Sequence, residues 1–255
     1  IAVGRTWMSL LRLDYSLHYL VKVNFATVFD VAFHEYEASD FSTTAELYKL
    51  FFQHLTRAVE VLKLGIDFHF QHQYKNAPEL ILNLVSHGPI EKGLDASHGG
   101  VDYYNIAIDG AGLATVADSL ASLEQRVEVD KALTWKQVKQ AVEGNFEGPE
   151  GARIRSILSS VKKYGYGGSL GDKWALQISQ DFTNLVTGSR TPDGYLTIPG
   201  LFSWANTVPF GRAVGATPNG RLRGEPISHG ANPNPGFRTD GAFTAMANAI
   251  ASVQP

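Results

Sequence analysis

Histidines are the side chains of this chain with the most obvious capacity for chemistry. Eight are present, and His69 and His72 are spaced so that both imidazoles could share one helix face, as zinc ligands do. No carboxylate joins them in a pattern such as H-E-x-x-H. We therefore predict no metal site and place this pair on a surface or at a helix end. The chain also has no cysteine, which excludes disulfides, thiolate zinc sites and a cysteine nucleophile within these residues.

Two glycine patterns and one acidic helix position are the next candidates. Segments 110–112 (GAG) and 165–168 (GYGG) have the small residues that suit phosphate binding at a helix start. Neither completes G-x-G-x-x-G after a clear strand, and no G-K-[ST] loop exists. Close helix packing explains them better than a nucleotide-binding oxidoreductase, which would rest on these glycines alone. Asp118 and Ser119 could form a catalytic pair, but we favour a buried Asp118 that accepts hydrogen bonds from amides of a neighbouring loop.

Residues 215–236, GATPNGRLRGEPISHGANPNPG, form the most informative stretch of the chain. Proline lacks an N–H and glycine gives up backbone entropy, so this stretch cannot form a packed helix or strand. It also lacks the composition of a disordered linker, and apolar helical patterns lie on both sides of it. We predict an ordered irregular loop that shapes a site. The residues expected to shape it are Gly215, Thr217, Pro218, Gly220 and Arg221.

The same loop resembles the glycyl-radical enzymes, the pyruvate formate-lyase family with its dehydratases, decarboxylases and carbon–sulfur lyases. Its blocks GATPNGR (215–221) and GANPNPG (230–236) are followed by DGA-x-TAMANAIASV (240–253). Upstream, IEKGLD (90–95), HGG (98–100) and YYNIAIDGAGLATVADSLASLEQRV (103–127) fit the same family in the same order. The resemblance covers roughly residues 14–255.

This resemblance implies a fold and a radical mechanism. Residues 1–255 would be a second-half segment of the family's ten-stranded α/β barrel, helix-rich and part of a larger chain. In the family, a thiyl radical on a cysteine loop starts the chemistry and a backbone glycyl radical stores the unpaired electron. The cysteine is expected just before Ile1 and the radical glycine beyond Pro255, so no catalytic residue is expected within this chain.

The resemblance also implies partners. Turnover would need no dissociable cofactor, and a separate S-adenosylmethionine-dependent iron–sulfur activating enzyme would install the radical. The substrate would be a small organic molecule in an anaerobic cytoplasm, and the full protein is expected to form a homo-oligomer. The bond cleaved, C–C, C–O or C–S, stays open, although the blocks look closest to carbon–sulfur lyases. The alternative is a catalytically inactive scaffold or pseudoenzyme of the same fold.

Four residues are expected to contact substrate if the resemblance holds. Asp14 matches an acidic residue that touches substrate hydroxyl groups in dehydratase-type members, although it could also be a helix N-cap. Trp204, Asn206 and Arg212 precede the loop and could line the pocket. Arg212 could grip an anionic substrate with two hydrogen bonds. In the alternative interpretation, Trp204 lies in the core and Arg212 makes a structural salt bridge.

Within the loop, Arg221 is expected to bond carbonyl groups of its own loop or to pair across the barrel. Most family members have Asp where this chain has Asn219. An Asp–Arg pair is therefore in doubt here, although Asn still suits the turn.

Periodicity and capping signals predict a mainly helical chain with few short strands. Thr43 with Glu46, and Thr134 with Gln137, form capping boxes that open two helices. The first of these is expected to stop at Gly65. Further helices are predicted at about 14–37, 78–86, 111–128, 150–160, 172–187 and 240–252 (Asp240 as N-cap), strands at 195–198 and 207–210, a turn at 191–194 and a loop at 88–100.

Composition limits the remaining classes. With 255 residues and 44% apolar content the chain can bury a sizeable core, and its net charge of −3 provides no basic face for nucleic acid or an anionic membrane. No run reaches 18 apolar residues, so no membrane span is predicted. The first residues resemble neither a signal peptide nor a natural start, and both ends look cut. We expect a cytoplasmic location.

Overall fold

The computed structural model describes residues 16–37, 42–236 and 241–253. Contacts divide the chain into two compact units. The first comprises residues 16–22, Arg57–Asp109 and Thr183–Gly200, and the second contains the other described residues. The elements, in chain order, are β1 (Ser16–Asn24), α1 (Phe25–Glu35), α2 (Thr44–Asn76), α3 (Leu80–Val85), α4 (Pro89–Lys92), a 3-10 turn (Ala96–His98), β2 (Tyr103–Ala111), α5 (Leu113–Leu123), a π-helical turn (Glu124–Val129), α6 (Trp135–Glu143), α7 (Gly148–Ser159), α8 (Leu170–Val186), β3 (Thr197–Gly200), a 3-10 turn (Trp204–Asn206), α9 (Thr207–Arg212) and α10 (Ala242–Ser252).

The strands form a three-stranded sheet in the order β1-β2-β3. Strands β2 and β3 run parallel, with Ile106 opposite Thr197 and Asp109 opposite Gly200. Asp109 is buried, and a Cβ at position 200 would overlap its carboxylate. Only glycine at position 200 leaves room for Asp109 at the carboxyl end of β2.

Aromatic side chains cluster in the first unit near the amino-terminal ends of β2 and β3. The ring centre of Phe70 lies 5.5 Å from that of Tyr104 and 4.9 Å from that of Tyr195.

The turn at 191–194 closes with a hydrogen bond from the Gly194 amide to the Thr191 carbonyl, which confirms the turn predicted there.

The second unit is built around α5, of which every residue is buried. Phe25 contacts Phe182 edge to face with ring centroids 4.9 Å apart. A Cβ at Gly110 would overlap the Phe25 ring, so this glycine permits close packing at the end of β2. Because α5 is buried on every side, it is a central helix rather than a surface one.

The helix predicted for residues 14–37 is wrong in its first half, because residues 16–24 form β1. The sequence SLHYLVKVN alternates large apolar and other residues with a period of two, which is the pattern of a strand. Asn24 then starts α1: its side-chain oxygen accepts hydrogen bonds from the amides of Ala26 and Thr27. Residues 25–35 are helical as predicted.

The predicted stop at Gly65 is also wrong, because α2 runs unbroken through it from Thr44 to Asn76, a length of 33 residues. Nothing lies within 4 Å of a Cβ built at Gly65, so the glycine occupies an open helix face. Its propensity cost of about 1 kcal/mol is offset by the buried residues Ile66 and Phe70 in the next turns. Tertiary burial therefore outweighs the local signal.

Three further segments differ from the predictions. Residues 103–111 form β2, for which no strand was predicted, and residues 207–210 are helical in α9 rather than extended. The segment 88–100 contains the short α4 and a 3-10 turn instead of loop alone. β3 at 197–200 overlaps the strand predicted at 195–198.

The other helix predictions are confirmed, including both capping boxes. The exception is the N-cap of α10, which is Gly241 rather than the predicted Asp240, and Asp240 lies outside the described residues. The Thr134 hydroxyl accepts from the Gln137 amide, and the Gln137 side chain accepts from the Thr134 amide. Thr43 and Glu46 exchange the same pair of bonds at the start of α2. None of the described helices is both long and apolar enough to span a bilayer.

Candidate functional site

The loop predicted at 215–236 is ordered, and Arg221 lies at the centre of its first half. Only 7% of Arg221 is exposed. Its guanidinium donates to the carbonyl oxygens of Gly215 (2.6 Å), Gly211 (2.8 Å) and Glu225 (2.7 and 3.0 Å). These are bonds to carbonyls of its own loop and of the preceding helix α9, the first of the two predicted alternatives. Arg221 thus holds the irregular first half of the loop together and ties it to the end of α9.

Burial is the largest influence on the pKa of Arg221 and lowers it, while the charges of Glu225 and Asp30 act in the opposite direction. The Asp30 carboxylate, on α1, also accepts a hydrogen bond from the Gly215 amide at 3.2 Å. A guanidinium with a fixed fork of five N–H groups can satisfy several carbonyls at once, which an ammonium group cannot do. The loop therefore begins between a buried cation and a carboxylate.

A tight turn within 217–221 depends on Asn219. Its side-chain oxygen accepts from the Thr217 hydroxyl at 2.7 Å and from the Arg221 amide at 3.2 Å. Gly220 has a positive φ of 92°, and a Cβ there would overlap the Ser159 hydroxyl. Because both bonds need only a neutral acceptor, Asn219 forms this turn without the charge of the Asp that the resemblance predicts.

Buried polar side chains fix the second half of the loop at regular intervals. Ser228 exchanges two hydrogen bonds with Thr115: the Thr115 amide donates to the Ser228 hydroxyl at 3.1 Å, and the Ser228 amide donates to the Thr115 hydroxyl at 2.9 Å. The Tyr164 hydroxyl donates to the Ala231 carbonyl at 2.9 Å. The loop is thereby attached to α5 and to the segment that follows α7.

The third attachment is Asp118, on the same helix as Thr115. Its carboxylate accepts from the Tyr164 amide at 2.7 Å and from the Asn234 side-chain amide at 2.7 Å. Burial raises the pKa of Asp118 to about 6, against the opposing effects of Lys163 and of these hydrogen bonds. The expectation of a buried carboxylate that bonds a loop amide is confirmed, and nothing links Asp118 to Ser119, whose hydroxyl donates to the Thr115 carbonyl.

A cavity of about 610 Å³ lies between the loop and the segment after α7. One wall is formed by residues 159–163 with Tyr166, and the other by residues 219–221, 225–226 and 234–236. Lys163 donates to the Asn219 carbonyl at 3.1 Å, and the Lys162 ammonium lies 4.5 Å from the centre of the Tyr166 ring. The loop therefore borders a cavity that is largely open to solvent, and its role in shaping a site stays a prediction.

The segment expected to contact substrate packs against this loop. The Ile227 amide donates to the Thr207 carbonyl at 3.2 Å, next to Asn206, which is half-buried. The Arg212 side chain is exposed at the end of α9. The backbone of Trp204 starts the 3-10 turn before α9, and Asp14 lies outside the described residues.

The glycine patterns serve packing and capping. At Gly112, with a φ of 91°, a Cβ would press on the Ile227 side chain, in agreement with the close packing that we predicted. In the 165–168 segment, the amides of Gly165 and Gly167 donate to the Asp172 carboxylate at 2.7 and 2.8 Å. The amides that could have held a phosphate are thus already bonded to a side chain of the chain itself.

The histidine pair lies on α2, where Nδ1 of His72 is 2.7 Å from the Phe68 carbonyl of its own helix. Within the described part of the chain, no group of three or more His, Asp or Glu side chains could hold a metal ion.

Sequence reasoning missed Tyr164, Thr115 and Asn234 as anchors of the loop. Their partners are 46 to 116 positions away along the chain, so no local spacing reveals them. The polar residues Thr115, Asp118 and Ser122 in an otherwise apolar helix are the one available signal, since buried polar groups require partners.

Comparison with known proteins agrees with these features. Residues 12–211 match the family model described as pyruvate formate lyase-like. The chain is 29% identical over 202 residues to trans-4-hydroxy-L-proline dehydratase of Clostridioides difficile. This match covers 79% of this chain and 26% of that protein. It is 34% identical over 143 residues to isethionate sulfite-lyase of Oleidesulfovibrio alaskensis, and this match covers 55% of this chain and 17% of that protein. It therefore spans about a quarter or less of the length of these relatives.

A solved structure of the hydroxyproline dehydratase of Clostridioides difficile, with trans-4-hydroxy-L-proline bound, superposes on 92% of this chain with a TM-score of 0.80 and 26% identity. The match covers 31% of that structure. The predicted fold class, a helix-rich portion of the α/β barrel of glycyl-radical enzymes, is confirmed by this similarity together with the small parallel sheet. From the family match over most of its length, the chain belongs to the pyruvate formate lyase-like family.

Proposed function

We propose that this chain is a segment of a glycyl-radical lyase that cleaves a C–O or C–S bond in a small organic substrate. The observation that carries the proposal is the match of residues 12–211 to the family. The names of the relatives, a dehydratase and a sulfite-lyase, support C–O and C–S bonds as the two candidates.

The role of the chain in such an enzyme would be to enclose the radical chemistry and to orient the substrate. A thiyl radical is reactive enough to remove a hydrogen atom from substrate, so the protein must exclude water and align one C–H bond. A rigid wall does this better than a mobile one. The buried Arg221 and the attachments of Ser228, Ala231 and Asn234 support such a role for 215–236.

Substrate contacts are assigned to Asp14, Trp204, Asn206 and Arg212, in line with the family resemblance. The exposure of Arg212 would let it meet a carboxylate or sulfonate that approaches α9 from solvent. The initiating cysteine and the radical glycine would lie on polypeptide outside this sequence, which contains no cysteine.

The remaining assignments also follow from the resemblance. The radical would be installed by a separate S-adenosylmethionine-dependent activating enzyme, with no dissociable cofactor in turnover. The whole protein would act as a homo-oligomer in an anaerobic cytoplasm. An inactive scaffold of the same fold is the second candidate, and the lack of cysteine in the chain favours it if no cysteine loop adjoins this segment.

The test uses the complete reading frame that contains these residues. The protein is incubated without oxygen with reductant, S-adenosylmethionine and a radical-installing activating enzyme, and electron paramagnetic resonance is recorded. We expect a glycine-centred signal, and then loss of trans-4-hydroxy-L-proline, isethionate or another small hydroxylated compound from a substrate panel. The 255-residue chain, treated identically, is the control and should give no signal.

Three outcomes are informative. A glycine radical with turnover of one substrate supports the lyase. Flanking sequence without a cysteine, and no radical in the complete protein, would favour the scaffold. A radical in the isolated 255-residue chain would contradict the assignment of the radical residues to sequence outside it.

A further inference from the structure

Asp118 is a buried carboxylate whose two hydrogen-bond partners belong to the two segments that line the 610 Å³ cavity. The Tyr164 amide that it binds belongs to the segment of the first wall, 159–166. The Asn234 side chain that it binds belongs to the second wall. One carboxylate therefore joins two segments that are far apart in sequence.

Both hydrogen bonds at Asp118 run in the same direction, from an N–H donor to the carboxylate. An ionised carboxylate only accepts hydrogen bonds, and both partners of Asp118 are N–H donors. The charged and titratable groups around it are Lys163 after α7, which stabilises the ionised form, Asp172 on α8, which opposes it, and Tyr164.

We propose that Asp118 is a positioning residue: through Tyr164 and Asn234 it sets the separation of the two walls of this cavity. The proposal does not depend on which bond the enzyme cleaves, because it concerns only the shape of the loop. Asn234 lies between Pro233 and Pro235. Because the proline rings fix φ at both positions, the backbone on either side of Asn234 has little freedom to move independently of it. Fixing the position of Asn234 therefore also restricts the rest of the 230–236 segment.

The donor and acceptor roles can be exchanged, which gives a specific test. Asn234→Asp replaces the donor with a second carboxylate, so the junction loses its hydrogen bond and gains like-charge repulsion. Asp118→Asn in the same chain restores a match, because the amide oxygen can accept from Tyr164 while the NH2 group donates to the new carboxylate. A residue that merely fills space would show no such reciprocity.

The measurement is hydrogen exchange by mass spectrometry on peptides that cover 228–236 in the protein encoded by the complete reading frame, with protection factors corrected for intrinsic exchange. At pH 7.5 we expect Asn234→Asp to lower protection about tenfold, the equivalent of one hydrogen bond. The double variant should return to within about threefold of the original chain. Ser119→Ala, on the same helix but bonded only within it, is the matched control and should leave protection unchanged.

Acid pH supplies a second readout. Two adjacent carboxyl groups share a proton, and burial already raises the pKa of Asp118. At pH 5 the Asn234→Asp variant should therefore regain protection, because a protonated carboxyl donates to its neighbour, while the double variant should change little.

The proposal is overturned if Asn234→Asp leaves protection at 228–236 unchanged, or if the double variant is as weakly protected as the single one. If Asn234→Asp prevents folding, soluble yield and unfolding temperature are compared instead. In that case Asp118→Asn must restore the folded chain, and failure to do so equally overturns the proposal.

Discussion

Replacement of Arg221 by methionine tests the physical basis of the candidate site most directly. Methionine keeps a similar length and apolar stem but removes every donor. The carbonyls of Gly215, Gly211 and Glu225 would then lose their charged partner in a site where Arg221 is 7% exposed.

The magnitude follows from two opposing contributions. The Gly211 carbonyl keeps a hydrogen bond from the Val214 amide, so the carbonyls of Gly215 and Glu225 are the two that lose their donors. Each buried carbonyl left without a donor costs about 1–3 kcal/mol, so two of them cost roughly 2–6 kcal/mol. Removal of the buried charge offsets part of this, since burial disfavours the charged form of Arg221. We expect a net loss of about 2–4 kcal/mol in the free energy of unfolding. Arg221→Lys should lose less, about 1 kcal/mol, because an ammonium keeps the charge but not the planar fork.

The assay is urea unfolding at pH 7, followed by far-UV circular dichroism and by tryptophan fluorescence. Arg223→Met is the matched control, because Arg223 is exposed and its side chain makes a single 3.3 Å bond to the Glu143 carbonyl. That variant should stay within about 0.5 kcal/mol of the original chain. A loss below about 1 kcal/mol for Arg221→Met, at an unchanged denaturant slope, would refute the view that Arg221 organises the loop.

Three further predictions concern other parts of the second unit. Gly220→Ala combines a positive φ with overlap on Ser159 and should lower the unfolding free energy by about 1–3 kcal/mol in the same urea assay, whereas a neutral effect would show that the turn can relax. Thr134→Ala removes the N-cap of α6 and should cost about 1 kcal/mol, seen as a lower midpoint in thermal unfolding. Burial raises the pKa of Asp118 from 3.8 to about 6, so the folded chain binds a proton more tightly than the unfolded chain. The protonated Asp118 therefore stabilises the folded chain fully below about pH 4, and this stabilisation is lost as the pH rises through 6. Two pKa units correspond to about 3 kcal/mol, and Asp118→Asn should lack this part of the pH dependence of unfolding between pH 4 and 7; an identical slope in both chains would contradict it.

Local signals in the sequence predicted those features that depend on neighbours along the chain. Thr134 and Gln137 cap α6 because an N-cap needs only residues three apart. The Gly/Pro-rich composition of 215–236 excluded helix and strand for the same reason, and the structure has an ordered irregular loop there.

Local signals failed where burial competes with propensity. Gly65 does not end α2, because the apolar residues that follow it are buried. Residues 16–24 carry both a helical stripe and a two-residue alternation, and only pairing with β2 in the sheet selects the strand. Residues 207–210 were predicted to be extended, and they are helical in α9, whose Gly211 carbonyl accepts a hydrogen bond from Arg221 in the distant loop.

The sequence by itself therefore determined the class of the protein and the existence of the loop, because family blocks and Gly/Pro content are read along the chain. It also identified Asp118 as a buried acceptor, because an acidic residue in an apolar helix requires a donor. Only the tertiary structure decided that its donors are Tyr164 and Asn234 and that Arg221 bonds carbonyls rather than a distant carboxylate. These partners are selected by the packing of segments distant in sequence, and no spacing of residues encodes that packing locally.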